Sequence, residues 1–266
     1  MENQFALRAA KRIAVTALVA TVALPVAARA EQPRCDVQLD RVHFAHQLAR
    51  VAQKLSAHQP ITIVAIGSSS TAGAGATSPA ATYPSRLQVE LSERFSGHTF
   101  KVINRGVGGE EIDDMLKRFD QAVIAAKPDL VLWQLGTNSV IRDHNVAGHE
   151  ASIHAGIAKI RAIGADVILI DPQFTPKVIA KAEAAHMVEL IAVTAKQEDI
   201  DLFPRYEVMR HWHDVDHVDF KTFAAPDGLH MNDWGYACWA KSLGHAIAEA
   251  AQRRPVLSAS VRAFAD

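Results

Sequence analysis

Four short segments of the sequence carry residue types that could do chemistry together. They are Gly67 to Gly73 (GSSSTAG), Asn104 to Glu110 (NRGVGGE), Leu135 to Asn138 (LGTN) and Asp227 to His230 (DGLH). The first is rich in small hydroxyls, and the last places a carboxylate and an imidazole three positions apart on one tight turn. This set of residue types is typical of nucleophilic catalysis.

The chemistry that suits these residues is acyl transfer. A serine hydroxyl is a poor nucleophile until an imidazole takes its proton, and the imidazole needs a carboxylate to fix its tautomer and stabilise its cation. Asp227 and His230 supply both groups from one loop. A tetrahedral intermediate also needs donors for its oxyanion, and the backbone N–H of Gly109 and the amide of Asn138 fit that role.

Each segment alone also has a simpler interpretation. Serine-rich loops after strands hold phosphates, although neither G-x-x-x-x-G-K-[ST] nor G-x-G-x-x-G occurs here. The glycines near Gly109 could serve only a turn, Asn138 only a helix cap, and His230 could be a core histidine bonded to Asp227. Their common position at predicted strand ends favours acyl transfer.

The elements that must position these segments alternate along the chain. A helix with Phe44, Leu48, Val51 and Leu55 on one face precedes the first strand. Short apolar runs predict five strands, at 61–66, 100–103, 130–134, 167–170 and 200–203, and helical patterns cover roughly 84–95, 110–126, 148–163, 177–197 and 233–252. Near-continuous apolar strands between helices predict a three-layer α/β/α sandwich around a mainly parallel five-stranded sheet. Ligands bind such sheets at the carboxyl ends of the strands.

The four segments, in this order, resemble the four signature blocks of the SGNH, or GDSL-type, hydrolases. The resemblance runs from about residue 61 to 250. It implies an SGNH/flavodoxin-like fold, with Ser69 as nucleophile, His230 as general base and Asp227 as the orienting carboxylate. It also implies an oxyanion hole built from the backbone N–H groups of Ser69 and Gly109 and the side chain of Asn138.

The sequence departs from the family pattern at two positions. Ser68 stands where the family usually has Asp, and Ser139 stands where Asp commonly follows the Asn. Neither position is expected to take part in bond making, so we expect activity to survive. Ser68 and Ser70 flank Ser69 and are the alternative nucleophiles.

A histidine-rich segment, His211 to His217 (HWHDVDH), contains a plausible set of metal ligands. No matching group elsewhere is tied to it by spacing, so we expect no metal and no cofactor. The segment instead predicts an irregular loop near the pocket entrance, where Trp212 could contact substrate. The spacing of Tyr236, Trp239, Leu243 and Ile247 predicts a helical face packed on the sheet.

The N-terminus predicts export. Basic residues precede an uncharged run at 13–27, and Ala28-Arg29-Ala30 is typical of a signal-peptidase site, so residues 1–30 are interpreted as a signal peptide and 31–266 as one domain. An uncleaved anchor is the alternative. We expect a periplasmic or secreted protein with no membrane span after cleavage. Cys35 and Cys238 form either a disulfide or two buried thiols.

Composition restricts the partners. The 266 residues carry a formal net charge of −1 and are 49% hydrophobic and 21% charged, which excludes a disordered chain and gives no electrostatic reason to expect nucleic acid. The sequence therefore predicts an exported serine esterase acting on acetyl or short-chain esters, small or on carbohydrates, through an acyl-enzyme. An inactive glycan-binding protein and an O-acyltransferase are the alternatives, and the oligomeric state is left open.

Overall fold

The computed structural model describes Cys35 and residues 42–253. A sheet of five strands forms its centre, and all four strand pairings are parallel. The strand order is β2-β1-β3-β4-β5. The strands are β1 Ile61–Gly67, β2 Phe100–Gly106, β3 Leu130–Gln134, β4 Asp166–Ile170 and β5 Asp201–Phe203.

Alternation along the strands divides the core into two layers. In β3, Leu130 and Leu132 belong to one buried cluster, whereas Val131 and Trp133 belong to the other. Because successive side chains of a strand point to opposite faces, both faces of the sheet must be covered by helices. The predicted three-layer α/β/α sandwich with a five-stranded parallel sheet is confirmed.

The helices cover both faces. Those of eight residues or more are α1 Ala49–Ser56, α3 Tyr83–Arg94, α7 Glu150–Ala162, α9 Glu183–Gln197, α10 Arg205–Asp214 and α12 Asp233–Gln252. The shorter ones are α2 Ser69–Ala72, α4 Ile112–Lys117, α5 Phe119–Ala122, α6 Thr137–Ile141, α8 Pro176–Ile179 and α11 Phe220–Phe223. No helix in the part of the chain described is long and apolar enough to cross a membrane.

Two of the predicted helices are interrupted. The pattern at 110–126 forms α4 and α5 separated by Arg118, whose side chain bonds back to Glu110 and to the carbonyl of Arg105. The pattern at 177–197 forms α8 and α9 with a break between them. In both cases apolar residues keep facing the core across the break, so periodicity alone does not reveal it.

The interpretation of residues 211–217 as a loop that offers Trp212 to substrate is wrong. Most of the segment belongs to α10, and Trp212 is only 1% exposed. Its indole packs edge-on against Phe223 and Trp234. The reason is the apolar face of α10, since Met209 and Trp212, three positions apart, are both buried in the core.

The last helix, α12, packs on one face of the sheet. Tyr236, Trp239, Leu243 and Ile247 are buried in the core cluster on one face of the sheet, as predicted. Cys238, on the same helix, forms a disulfide with Cys35. Of the two interpretations of the cysteines, the structure therefore has the disulfide. The predicted signal peptide lies outside the described residues.

Candidate active site

The strand order places a crevice at the carboxyl end of β1. In the sheet, β2 lies on one side of β1 and β3 lies on the other, so the strand order reverses at β1. Ligands bind open α/β sheets at such a reversal. Three of the four sequence segments begin in the last residues of β1 and β2 or directly after β3. The fold thus brings them to one edge of the sheet.

The three consecutive serines after β1 differ in exposure. Ser68 and Ser70 are each 1% exposed, whereas Ser69, the first residue of α2, is only partly buried. The turn from strand to helix is responsible, because it directs neighbouring side chains to different sides. Ser69 is the one hydroxyl of the three that a substrate can reach.

The histidine of the fourth segment meets this serine. His230 Nε2 lies 2.8 Å from Ser69 Oγ, although the two residues are 161 positions apart. The imidazole is largely covered, with 16% of its side-chain surface exposed. The distance is that of a hydrogen bond through which a proton can pass.

The carboxylate of Asp227 fixes the tautomer of this imidazole. Asp227 Oδ2 lies 2.5 Å from His230 Nδ1, and Oδ1 accepts the backbone N–H groups of Leu229 and His230, each at 2.9 Å. Burial opposes ionisation, but the hydrogen bonds from His230 and these N–H groups outweigh it and lower the pKa of Asp227 to about 2. An ionised carboxylate only accepts, so Nδ1 carries the proton and Nε2 is free to accept one from Ser69.

The expected oxyanion donors belong to two segments that contact each other, and one of these segments reaches Ser69. A Cβ on Gly108 would be 3.9 Å from Ser69 Cβ, which places the glycine segment after β2 in contact with the serine. Gly109 has φ +82°, a left-handed conformation that favours glycine. Asn138 Nδ2 donates to the carbonyl of Glu110 at 2.8 Å, and a second N–H of the amide is available for another acceptor.

Glu111 connects the segments that hold Gly109 and Asn138. Its carboxylate accepts Ser139 Oγ at 3.0 Å and Arg142 Nη1 at 2.6 Å, and it lies 3.0 Å from His144 Nδ1. Burial works against ionisation, yet these three hydrogen bonds prevail and lower the pKa of Glu111. Ser139, one of the two departures from the family pattern, thus ties α6 to the start of α4.

The other departure, Ser68, also has a structural partner. Its backbone N–H and its hydroxyl both donate to Gln134 Oε1, at 3.0 and 3.1 Å. Gln134 belongs to a group of buried polar side chains under the site that the sequence analysis missed, together with Gln173 and Arg205. No sequence signal marks them, because their partners are distant along the chain.

Within the described residues, no group of three or more His, Cys, Asp or Glu side chains is arranged to hold a metal ion. In the histidine-rich segment, His211 Nε2 instead lies 3.4 Å from Asp216 Oδ1, and His213 stacks on Phe220 with ring centroids 4.0 Å apart. Through these contacts, His211 and His213 take part in packing.

A model of the non-GDSL lipase-like family matches residues 34–253, which is most of the chain. The chain belongs to the non-GDSL lipase-like family. The resemblance to SGNH hydrolases predicted from the four segments is thereby confirmed, and the match supports the prediction of a carboxylic ester hydrolase.

Other relatives of this non-GDSL lipase-like chain are esterases. An arylesterase of Vibrio mimicus is 26% identical over 149 residues, which are 56% of this chain and 69% of the relative. A two-domain esterase active on acetylated mannans has the same fold, with a TM-score of 0.65 and 19% identity over 79% of this chain; the match spans only 56% of that protein. An acetylxylan esterase from Geobacillus stearothermophilus matches with a TM-score of 0.59 and 18% identity over 70% of this chain and 94% of its own.

Proposed function

We propose that this protein is a serine esterase that hydrolyses acetyl or short-chain esters of carbohydrates through an acyl-enzyme on Ser69. The observation that carries the proposal is the continuous contact from Ser69 Oγ through His230 to the ionised carboxylate of Asp227. A buried core histidine would not need an accessible hydroxyl on one nitrogen and an ionised carboxylate on the other.

In the first half of the reaction, Ser69 Oγ attacks the ester carbonyl as its proton moves to His230 Nε2. The carboxylate of Asp227 stabilises the imidazolium that forms. The backbone N–H groups of Ser69 and Gly109 and the free N–H of the Asn138 amide donate to the oxyanion. The tetrahedral intermediate collapses, the alcohol takes the proton from His230 Nε2, and the acyl group remains on Ser69.

In the second half, His230 Nε2 takes a proton from water and the resulting oxygen nucleophile attacks the acyl-enzyme. Collapse of the second tetrahedral intermediate breaks the bond to Ser69 Oγ, which recovers its proton from His230. The products are the acid and the free enzyme, and the same groups serve both halves.

Catalytic variants of the structural neighbour support these roles. Three variants of the Geobacillus stearothermophilus esterase, with a serine, an aspartate or a histidine replaced by alanine, are described as catalytic mutants, and its aspartate and histidine are also three positions apart. Asp227 and His230 have the same spacing.

The structural neighbours support a carbohydrate ester as substrate. The solved structures above are esterases of acetylated mannan and of acetylxylan.

We also propose that the protein is exported to the periplasm or secreted. The N-terminal pattern of basic residues, apolar run and Ala-Arg-Ala supports export. The disulfide between Cys35 and Cys238 supports it independently, because disulfides persist in oxidising compartments.

The test is incubation of the purified protein with acetylated mannan and xylan oligosaccharides, p-nitrophenyl acetate and longer p-nitrophenyl esters. We expect release of acetate from the oligosaccharides, faster cleavage of short than of long esters, and labelling of Ser69 by a fluorophosphonate. A folded protein that is neither labelled nor hydrolytic would contradict the proposal and favour glycan binding. Transfer of acetyl to an added glycan acceptor in place of water would favour the acyltransferase.

The ionisation of Asp227 sets one limit on the pH dependence. Because the pKa of Asp227 is lowered to about 2, its carboxylate stays ionised at any pH above about 3. We therefore expect that protonation of Asp227 causes no loss of kcat/KM for p-nitrophenyl acetate above this pH. In Asp227→Asn, kcat should fall at every pH, because the amide cannot stabilise the imidazolium as the carboxylate does. An unchanged kcat in this variant would contradict this account.

A further inference from the structure

A group of buried polar side chains lies beneath the four catalytic segments. Gln134, Gln173, Thr175 and Arg205 have no exposed surface, and Thr137 is 3% exposed. Glutamine and arginine are seldom fully buried, because desolvating them costs free energy unless they are hydrogen-bonded. These residues are concentrated at the edge of the sheet that carries the candidate active site, which indicates that they support it.

Gln134 holds the nucleophile turn. Its Oε1 accepts the backbone N–H and hydroxyl of Ser68, at 3.0 and 3.1 Å, and Thr71 Oγ1 at 3.2 Å. Ser68 and Thr71 lie on either side of Ser69. One amide oxygen at the end of β3 thus fixes the backbone on both sides of the proposed nucleophile.

Gln173 holds the loop of the proposed base. Its Nε2 donates to the carbonyl of Leu229 at 3.0 Å, and Thr175 Oγ1 donates to the same carbonyl at 3.1 Å. Leu229 lies between Asp227 and His230. Two side chains that follow β4 therefore fix the turn on which the imidazole and its carboxylate are carried.

The orientation of the Gln173 amide is fixed by its neighbours. Its Oε1 accepts Arg205 Nη2 at 2.8 Å and Thr137 Oγ1 at 2.9 Å. A guanidinium only donates, so the oxygen of the amide must face Arg205 and the nitrogen must face Leu229. Arg205 is held in turn by the backbone carbonyl of Asp171, at 3.0 Å, and lies over the ring of Trp239, 4.7 Å from its centre.

Thr137 joins the two glutamines. Its Oγ1 donates to Gln173 Oε1 and lies 3.5 Å from Gln134 Nε2. It also directly precedes Asn138, one of the expected oxyanion donors. The hydrogen-bonded series from Gln134 through Thr137 to Gln173 therefore reaches the nucleophile turn, the oxyanion helix α6 and the base loop.

We infer that Gln134, Gln173 and Thr175 are positioning residues that set the distance between Ser69 Oγ and His230 Nε2. The inference rests on the proposed function. Ser69 and His230 belong to different loops, and a displacement of about 1 Å between reacting groups can lower a rate about a hundredfold. Because the buried amides cannot bond to water, a shift of either loop leaves a donor or acceptor unpaired, and this opposes the displacement.

Two substitutions and a matched control test the inference. Gln173→Glu keeps an acceptor for Arg205 and Thr137 but replaces the donor to Leu229 with a carboxylate. Thr175→Val removes the second donor to Leu229. Thr194→Val is the control, since Thr194 is equally buried and its hydroxyl also donates to a backbone carbonyl, that of Leu190 in α9, away from the catalytic loops.

The rate constant of fluorophosphonate labelling and kcat for p-nitrophenyl acetate are measured on each folded variant. We expect both to fall about tenfold or more in Gln173→Glu and severalfold in Thr175→Val, with KM changed less than twofold. Thr194→Val should lose stability, as judged by its Tm, but retain both rates within twofold.

Variants that fold and are labelled at the rate of the unsubstituted protein would overturn the inference while leaving the proposed function standing. If Gln173→Glu does not fold, Thr175→Val decides between the two results. If the unsubstituted protein is not labelled, the proposed function fails and the inference fails with it. A loss of rate in Thr194→Val as large as that in Thr175→Val would also overturn the inference, because it would show a general effect of lost stability.

Discussion

Ser69→Ala is expected to lower kcat/KM for p-nitrophenyl acetate at least about a thousandfold and to abolish fluorophosphonate labelling. The substitution removes the oxygen that must form the acyl bond, and loss of a triad member leaves only the contribution of the oxyanion donors and of binding. The Tm should change little, because Ser69 is partly exposed and, among the residues that the structure describes, its hydroxyl hydrogen-bonds to His230. Steady-state kinetics and mass spectrometry of the probe-treated protein give both results.

Ser70→Ala is the matched control for this prediction. The hydroxyl of Ser70 is buried and has no hydrogen-bond partner among Cys35 and residues 42–253, so its removal should leave hydrolysis and labelling within a few-fold of the unsubstituted protein. Labelling that persists in Ser69→Ala and disappears in Ser70→Ala would assign the nucleophile to the neighbouring position. Labelling lost in both would indicate that the turn has collapsed, which the Tm of each variant would reveal.

The sheet could be predicted from the sequence because parallel strands buried on both faces are continuous apolar runs. Ile61 to Ile66 and Leu130 to Gln134 are such runs, and both form strands with the predicted bounds or one residue more. The boundaries of helices depend on other contacts. The helix predicted at 110–126 breaks where Arg118 bonds to Glu110, and no local signal marks that tertiary contact.

Trp212 shows how composition can mislead. The histidines and aspartates around it favoured a loop, yet the three-residue spacing of Met209 and Trp212 already indicated a buried helical face. The apolar side chains determine the conformation, because burial of an indole is strongly stabilising and the neighbouring polar side chains can stay at the surface of the helix. Periodicity was the better guide here than residue type.

The candidate site could be predicted only in part, for a physical reason. Ser69, Gly109, Asn138, Asp227 and His230 lie in four short segments whose residue types can be recognised in the sequence. Gln134, by contrast, is a single polar residue at the end of an apolar run, and Gln173 lies three residues beyond the end of β4. Their hydrogen bonds to Ser68 and Leu229 span 66 and 56 positions, so their role becomes visible only once the strands are placed side by side.

Gly106→Ala is expected to destabilise the protein by about 3 kcal/mol, which lowers the Tm by roughly 6 to 12 °C. A Cβ at this position would lie 2.1 Å from the backbone nitrogen of Ala72 and 2.6 Å from the carbonyl carbon of Thr71. Both atoms belong to α2, which begins with Ser69, so they cannot give way without moving the nucleophile. The folded fraction of the variant should therefore also lose kcat. Thermal unfolding and active-site titration measure the two effects separately.

The matched control is Gly148→Ala, since the nearest atom to a Cβ there is Asn145 Nδ2 at 4.0 Å and the backbone has no positive φ. Its Tm should stay within about 2 °C of the unsubstituted value, because alanine at an unstrained position mainly restricts the unfolded chain. Equal Tm and kcat in Gly106→Ala would contradict the close approach of β2 to α2. That approach is reinforced by Asn104 Nδ2, which donates to the carbonyl of Thr71 at 2.8 Å. The second sequence segment thus holds the backbone of α2 in place, which explains why a glycine is needed at the end of β2.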